Sequence, residues 1–310
     1  MPRRVGFSPR EALASQLGVS QASRRRGFNL ALEFGIHTES RLQPERLAPP
    51  ATLSVVSDDV HARELAHHEE LYSGFAQRHF AKPAVRALRS VMVRRILRLT
   101  GAGRRSAVLS LGCGIADTEL LLAPHVERVT GIDLSPAAIR QARDDAYTAG
   151  VRNLELLEGT LGTAMLDDDR QFDVVVAIFF LHHLPDAELE ETAAGIYKRL
   201  RPGGMFYSLD PNRFRLSGAV GRILVPGLMR RYQTPDEREL DPRQTLDAFA
   251  RCGFEGRFGY FDFGSSPLAG LFPSWRTGYR AARLLDDVLI HVPLVRRLGS
   301  NFELIARKPR

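Results

Sequence analysis

Two glycines and one aspartate give the clearest chemical signal in this sequence. Gly112 and Gly114 follow a short apolar segment, Ala107–Leu111, and Asp133 ends the next apolar segment along the chain. Glycines let a backbone approach a ligand closely because a Cβ there would collide with it. A carboxylate after the second strand can accept hydrogen bonds from both hydroxyls of a ribose. The pattern predicts a nucleoside site on one half of an α/β nucleotide-binding fold.

The residue at position 117 restricts which nucleotide fits. A dinucleotide-binding turn would place its third glycine there, but the sequence has Asp117. An acid facing a pyrophosphate disfavours NAD and FAD. A phosphate-binding Gly-Lys-Ser/Thr loop is also missing from the sequence. The turn therefore favours a ligand with a ribose and no phosphate.

Three polar residues further along are candidates for proton transfer. His182 and His183 follow the apolar segment that ends at Ile178, and Asp210 ends the next one. His183 is the first candidate for a general base because a neutral imidazole titrates near working pH. The alternative is that both histidines only shape a turn. The segment 210–212 either lines the ligand pocket or has no such role.

These residues lie in a core whose sequence alternates between predicted strands and predicted helices. Regular alternation predicts a parallel sheet with helices on both faces. A long connection separates the last two strands. The predicted strands are 107–111, 128–132, 154–158, 173–178, 204–209, 256–262 and 301–308, and the predicted helices are 58–79, 83–100, 116–122, 136–149, 187–200 and 242–252.

Composition excludes several classes of protein. With 310 residues and 44% hydrophobic residues, the chain can bury a large core. No apolar run is long enough to span a bilayer. Two cysteines are too few for a disulfide framework, which favours the cytoplasm. Positive charge is concentrated at the two ends, 1–26 and 273–310, so we expect no nucleic-acid groove. His67 and His68 are adjacent and point apart on a helix, so no metal site is expected.

The ordered motifs resemble those of the class I S-adenosylmethionine-dependent methyltransferases, and within them the small-molecule group of methyltransferase type 11 and the ubiquinone-biosynthesis enzymes. The resemblance covers roughly residues 70–262 and the last strand. It implies a Rossmann-like, doubly wound sheet of seven strands with the last strand antiparallel. The segments that carry it are Ser110–Ala116, Asp133, Leu154–Thr160, Phe172–Leu184 and Leu200–Gly204.

The same resemblance implies a cofactor and its contacts. The cofactor would be S-adenosylmethionine, with S-adenosylhomocysteine as product. Three departures predict a lowered affinity: Ser110 replaces an acid, Ala116 a glycine, and Thr160 an aspartate. The implied contact residues are Gly112, Cys113, Gly114, Asp133, Leu134, Thr160, Ile178 and Tyr72.

The chain is expected to divide into a loosely ordered extension, 1–57, and a methyltransferase domain, 58–310. In that domain, N-terminal helices (58–100) precede a core (105–262 and 301–308), and two inserts, 211–240 and 263–300, carry many large apolar residues. They either pack onto the domain, close as a lid over an apolar substrate, or contact a membrane surface peripherally.

The predicted function is methyl transfer to a small, partly apolar acceptor, with O- or C-methylation favoured. One alternative is a degenerate methyltransferase fold that acts as a binding or regulatory protein, because Ser110 and Thr160 depart from the pattern. A second alternative is an enzyme that modifies RNA or protein. The segment 177–180 lacks the Asn/Asp-Pro-Pro-Tyr type of tetrapeptide, which disfavours methylation of base amino groups.

Overall fold

A computed structural model of the chain describes residues 79, 81–165, 169–218 and 238–310. They belong to a unit that spans Pro50–Arg310. The predicted extension 1–57, most of the predicted helix 58–79, and Tyr72 lie outside the described residues.

The described elements alternate as the sequence predicts. In chain order they are α1 (Pro83–Thr100), β1 (Ala107–Leu111), α2 (Glu119–Leu122), β2 (Arg128–Asp133), α3 (Pro136–Thr148), β3 (Leu154–Glu158), α4 (Leu161–Ala164), β4 (Phe172–Ile178), α5 (Asp186–Arg199), β5 (Leu200–Pro211), α6 (Pro242–Arg251), β6 (Glu255–Asp262), α7 (Ser265–Leu271), α8 (Arg276–Leu289) and β7 (Asn301–Arg307).

The strands form one seven-stranded sheet in the order β3-β2-β1-β4-β5-β7-β6. Strands β1 to β5 pair in parallel, and β7 is antiparallel to both of its neighbours. The predicted fold class, with an antiparallel last strand, is confirmed. Strand β6 therefore runs in the same direction as β5, and both end at the edge where β1 to β4 also end. Ligands of such sheets bind at that edge.

Apolar residues on both faces of the sheet hold the helices. All five residues of β1 are buried, as expected for a central strand covered on both sides. Helix α1 buries Leu88, Met92, Val93 and Ile96 against one face. Helix α6 covers the other face, where Phe249 stacks on Phe206 with ring centroids 4.6 Å apart.

A buried polar network ties α1 to the sheet. The Arg95 guanidinium pairs with the Glu303 carboxylate on β7. The Tyr207 hydroxyl on β5 donates to the same carboxylate at 3.0 Å. Burying a carboxylate is costly unless its oxygens are satisfied, and both partners satisfy it here.

Local signals set several element boundaries. Ser135 caps α3, its hydroxyl accepting the Ala138 N–H at 3.2 Å, and Pro136 takes the first helical position as predicted. Helix α2 begins later than predicted because Ala116 has a left-handed φ of 58° and belongs to the preceding turn. The insert 263–300 folds as α7, α8 and a short 3₁₀ turn, Val295–Leu298.

Candidate active site

The glycine turn after β1 adopts the backbone that its sequence requires. Gly112, Gly114 and Ala116 all have left-handed φ angles, 63°, 54° and 58°. A Cβ on Gly112 would lie 2.4 Å from Cδ2 of Phe180, so a side chain there would clash as well as strain the backbone. Ala116 adopts the same conformation at a cost of about 1 kcal/mol. The turn thus places two residues without side chains, Gly112 and Gly114, at the ligand edge.

Asp133 lies where the sequence predicts it, and it also braces the turn. Its carboxylate accepts the Gly114 N–H at 2.7 Å and the Ser135 N–H at 2.9 Å. These two bonds hold the turns after β1 and β2 together. A carboxylate offers about four acceptor sites, so further acceptor capacity remains for a ligand.

Glu119 is a buried acid that sequence reasoning missed. The Ser110 hydroxyl donates to Glu119 Oε1 at 2.6 Å, and both residues are buried. The other oxygen, Oε2, has no hydrogen-bond partner among the described residues. Burial is the main cause, and together with the nearby Asp117 carboxylate it raises the pKa of Glu119 to about 7. The sequence signal that could have revealed Glu119 is an acid at the start of an otherwise apolar helix.

Cys113 lies among the acids of this edge. Burial, followed by the charges of Glu119 and Asp133, raises the pKa of its thiol well above the usual value. The thiol therefore stays neutral, and its sulfur packs against Gly131, where an added Cβ would lie 2.9 Å away. The Cys113 N–H donates to the Ile132 carbonyl at 3.0 Å, so this predicted contact residue is part of the frame that positions the turn.

The remaining predicted cofactor residues lie at neighbouring strand ends. Thr160 follows β3, and its hydroxyl accepts the Thr163 N–H at 3.2 Å in a capping box that begins α4. Leu134 follows β2, and Ile178 ends β4. The described candidates thus all lie at one edge of the sheet, at the ends of β1 to β4.

Across β4, the structure pairs His182 with Asp210. The Asp210 carboxylate is fully buried, and its Oδ1 lies 3.1 Å from His182 Nδ1 and 3.3 Å from the His182 backbone nitrogen. Asp210 Oδ2 has no hydrogen-bond partner within the described ranges. His183, the first candidate from sequence, lies beside His182, with ring centroids 4.1 Å apart and the ring planes tilted by 38°. A carboxylate at Nδ1 fixes an imidazole's tautomer and orientation, which favours His182 as the base.

The ends of both inserts meet next to this pair. The Asn212 side-chain amide donates to the carbonyls of Arg297 at 2.9 Å and Gly299 at 2.8 Å. The Arg238 N–H donates to the His182 carbonyl at 3.2 Å, and the Leu240 N–H donates to the Pro211 carbonyl at 3.1 Å. Asn212 therefore anchors the insert 263–300. The middle of the insert 211–240 lies outside the described residues.

The described residues bear on two further features, a metal cluster and a membrane-spanning helix. Within them no group of three or more His, Cys, Asp or Glu side chains is arranged to hold a metal ion. His67 and His68 lie outside that part of the chain. None of the helices the structure describes combines the length and the hydropathy needed to cross a membrane.

Comparisons with known proteins agree with the fold. A family model described as "Methyltransferase domain" matches residues 108–204. The demethylmenaquinone methyltransferase of Listeria welshimeri is 27% identical over 125 residues, which is 39% of this chain and 52% of that protein. The ubiquinone biosynthesis O-methyltransferase of Methylobacterium sp. (strain 4-46) is 33% identical over 150 residues, 47% of this chain and 58% of that protein. The chain thus spans about half the length of these relatives.

A solved structure shows the same fold. The N-methyltransferase NodS from Bradyrhizobium japonicum, solved with S-adenosyl-L-homocysteine, has a TM-score of 0.53 and 15% identity, covering 80% of this chain and 100% of that chain. Sheet order, glycine turn and strand-end acid define a Rossmann-like methyltransferase domain. Residues 108–204 thus match a methyltransferase domain, and the sheet and motifs resemble those of the class I S-adenosylmethionine-dependent methyltransferases.

Proposed function

We propose that the protein transfers a methyl group from S-adenosylmethionine to the oxygen or carbon of a small, partly apolar acceptor. The observation that carries the proposal is the left-handed turn after β1, closed by the Asp133 carboxylate. The turn offers backbone where a nucleoside must approach closely, and Asp133 offers the acceptor that a ribose needs.

The residues at the strand ends fit the parts of this cofactor. Asp133 would accept the ribose hydroxyls, and Leu134 and Ile178 would flank the adenine. Thr160 would approach the edge of the adenine, although its hydroxyl already caps α4. The buried Glu119 carboxyl, with one oxygen unpartnered among the described residues, suits the cofactor's ammonium group. Glu119 would thereby supply the negative charge that Ser110 lacks.

The chain's residues would align the acceptor and remove its proton. Bound S-adenosylmethionine supplies a methyl group activated on a sulfonium. As the acceptor forms its new bond to the methyl carbon, the carbon–sulfur bond breaks and the acceptor loses a proton. The His182 imidazole would accept that proton at Nε2, while Asp210 holds the Nδ1–H and stabilises the resulting imidazolium. The inserts would exclude water.

The relatives and the inserts support an apolar acceptor. The two curated relatives carry the names of quinone-type substrates. In this chain the inserts that meet beside His182 expose large apolar side chains, including Phe214 and Trp275. We infer a phenol or quinol acceptor, held by inserts that act as a lid. We also place the protein in the cytoplasm, in keeping with the free thiols of Cys113 and Cys252.

Isotope transfer tests the proposal. The protein would be incubated with S-adenosylmethionine carrying a trideuterated methyl group, together with a panel of phenols and quinols or with a bacterial lipid extract. Mass spectrometry should detect an acceptor that gains the labelled methyl group. The matched control is the Asp133→Ala variant, which should give no labelled product. Binding of S-adenosylhomocysteine without labelling of any acceptor would contradict the proposal and favour a binding or regulatory protein.

A further inference from the structure

Helix α8 exposes its apolar side and buries its polar side. The side chains of Tyr279, Arg283 and Asp286 are turned inward and buried. Successive residues of a helix are rotated by about 100°, which places one apolar stripe on the opposite side. That stripe consists of Leu284, Leu285 and Val288, which are 70%, 59% and 62% exposed.

Specific polar contacts fix this orientation. The Asp286 carboxylate accepts the backbone N–H groups of Gly264 at 3.0 Å and Ser265 at 2.9 Å, and so caps α7. The Arg283 guanidinium donates to the Phe261 carbonyl at 2.9 Å and lies 5.0 Å from the centroid of the Phe261 ring. Rotating α8 to bury its leucines would break these buried hydrogen bonds. The outward apolar stripe is therefore built into the fold.

The stripe is part of a larger apolar surface that begins before α8 and continues after it. Phe272 and Trp275 precede the helix, with ring centroids 6.2 Å apart in an edge-to-face arrangement. Leu294 follows the helix and is exposed. We call the exposed set the outer apolar surface; it consists of Phe272, Trp275, Leu284, Leu285, Val288 and Leu294.

The charge around this surface is positive. Between positions 271 and 298, four arginines are exposed: Arg276, Arg280, Arg296 and Arg297. The two acids in the same segment are engaged, because Asp286 caps α7 and Asp287 pairs with Arg283. Apolar side chains bordered by arginines match the interface of an anionic lipid bilayer. A second copy of the chain would instead bring arginines against arginines.

The insert that carries this surface begins and ends at the edge of the sheet that holds the proposed active site. The insert starts at the end of β6, on the edge of the sheet where β1 to β5 end. Near its other end, the carbonyls of Arg297 and Gly299 bind Asn212, two residues after Asp210. A partner surface that binds this insert would therefore lie near the acceptor side of the proposed site.

We propose that the outer apolar surface docks the protein on an anionic membrane, from which an apolar acceptor can reach the site. The docking does not require methyl transfer, so its test can fail independently of the proposed function. Trp275 is the sole tryptophan of the chain and lies on this surface, 54% exposed, so it reports on docking directly.

The experiment mixes the full chain with phosphatidylglycerol vesicles or with phosphatidylcholine vesicles. We expect a blue shift of the Trp275 emission and flotation with the phosphatidylglycerol vesicles only. Leu284→Gln combined with Leu285→Gln should lower partitioning about tenfold, because two exposed leucines lose their burial in lipid. The control is Tyr147→Gln, which changes an 89% exposed side chain on α3 and should bind like the wild type.

Three outcomes would overturn the docking proposal. The first is no blue shift and no flotation of the wild type with either vesicle. The second is equal binding to both vesicles, which would remove the role of the arginines. The third is concentration-dependent self-association that the double leucine variant abolishes without any vesicle binding, because a second copy would then occupy the surface.

Discussion

The two halves of the ligand edge are built differently. At the ends of β1 and β2, hydrogen bonds between residues close in sequence define the site, such as Asp133 with Gly114 and Ser135. At the ends of β4 and β5, the contacts join distant segments, such as Asn212 with Arg297. In the proposed function, the first half would hold the nucleoside of the cofactor through a short motif, and we call it the cofactor half. The second half, which depends on the inserts, would hold the acceptor, and we call it the acceptor half.

Each half holds a buried carboxyl group with one oxygen unpartnered among the described residues. In the cofactor half, Glu119 has only the Ser110 hydroxyl as its described hydrogen-bond partner, and burial raises its pKa to about 7. In the acceptor half, Asp210 faces the His182 imidazole. In the proposed function Glu119 would bind a cation and Asp210 would orient a base, so variants of the two should affect different measurements.

Among the variants that distinguish the two halves, the largest expected effect is on turnover, from Asp210→Asn. The amide would no longer hold the charged, correctly oriented form of His182, so the rate of methyl transfer should fall about 100-fold. Affinity for S-adenosylhomocysteine should stay at the wild-type value, since Asp210 belongs to the other half. The rate of methyl transfer is measured over a range of pH, with the acceptor that the isotope experiment identifies. Equal loss of affinity and rate would show that the halves are not separable.

A smaller effect is expected from Glu119→Gln, on cofactor affinity. The neutral amide loses its attraction to the ammonium group, so affinity for S-adenosylhomocysteine at about pH 8 should fall about tenfold. In the wild type, the raised pKa leaves the carboxyl largely neutral below about pH 7, so affinity should rise as pH rises through 7. Calorimetric titrations at about pH 6 and pH 8 measure both effects.

The control for this prediction is Glu127→Gln, which changes an exposed acid just before β2, at the opposite edge of the sheet. It should keep the wild-type affinity and pH dependence. If Glu119→Gln bound as well as the wild type and kept the same pH dependence, Glu119 would have a structural role only.

The smallest expected effect lies outside both halves, in the network beneath α1. Tyr207→Phe removes the hydroxyl that donates to the buried Glu303 carboxylate. The free energy of unfolding should fall by about 1 kcal/mol. Chemical denaturation measures it, and affinity for S-adenosylhomocysteine should not change. A change in affinity would show that the cofactor half depends on α1 for its geometry.

The same contrast explains what could be predicted from sequence. The seven strands and the position of Asp133 follow from local patterns, and the structure has them in the predicted order, although β5 (Leu200–Pro211) is longer than the predicted 204–209. The Ser110–Glu119 bond depends on how α2 packs on β1, which no local pattern specifies. The pairing of Asp210 with His182 rather than His183 depends on the turn after β4. The outward apolar side of α8 reverses the usual amphipathic pattern, because its polar residues make the long-range contacts.

Calorimetric titration of the full chain with S-adenosylhomocysteine tests the central claim most directly. We expect one-to-one binding by the wild type and a loss of affinity of about 100-fold or more in Asp133→Ala, which removes the ribose acceptor and the brace of the turn. The control Asp144→Ala, an exposed acid on α3, should bind like the wild type. Absence of binding by the wild type, or unchanged binding by Asp133→Ala, would contradict the assignment of this edge as the cofactor site.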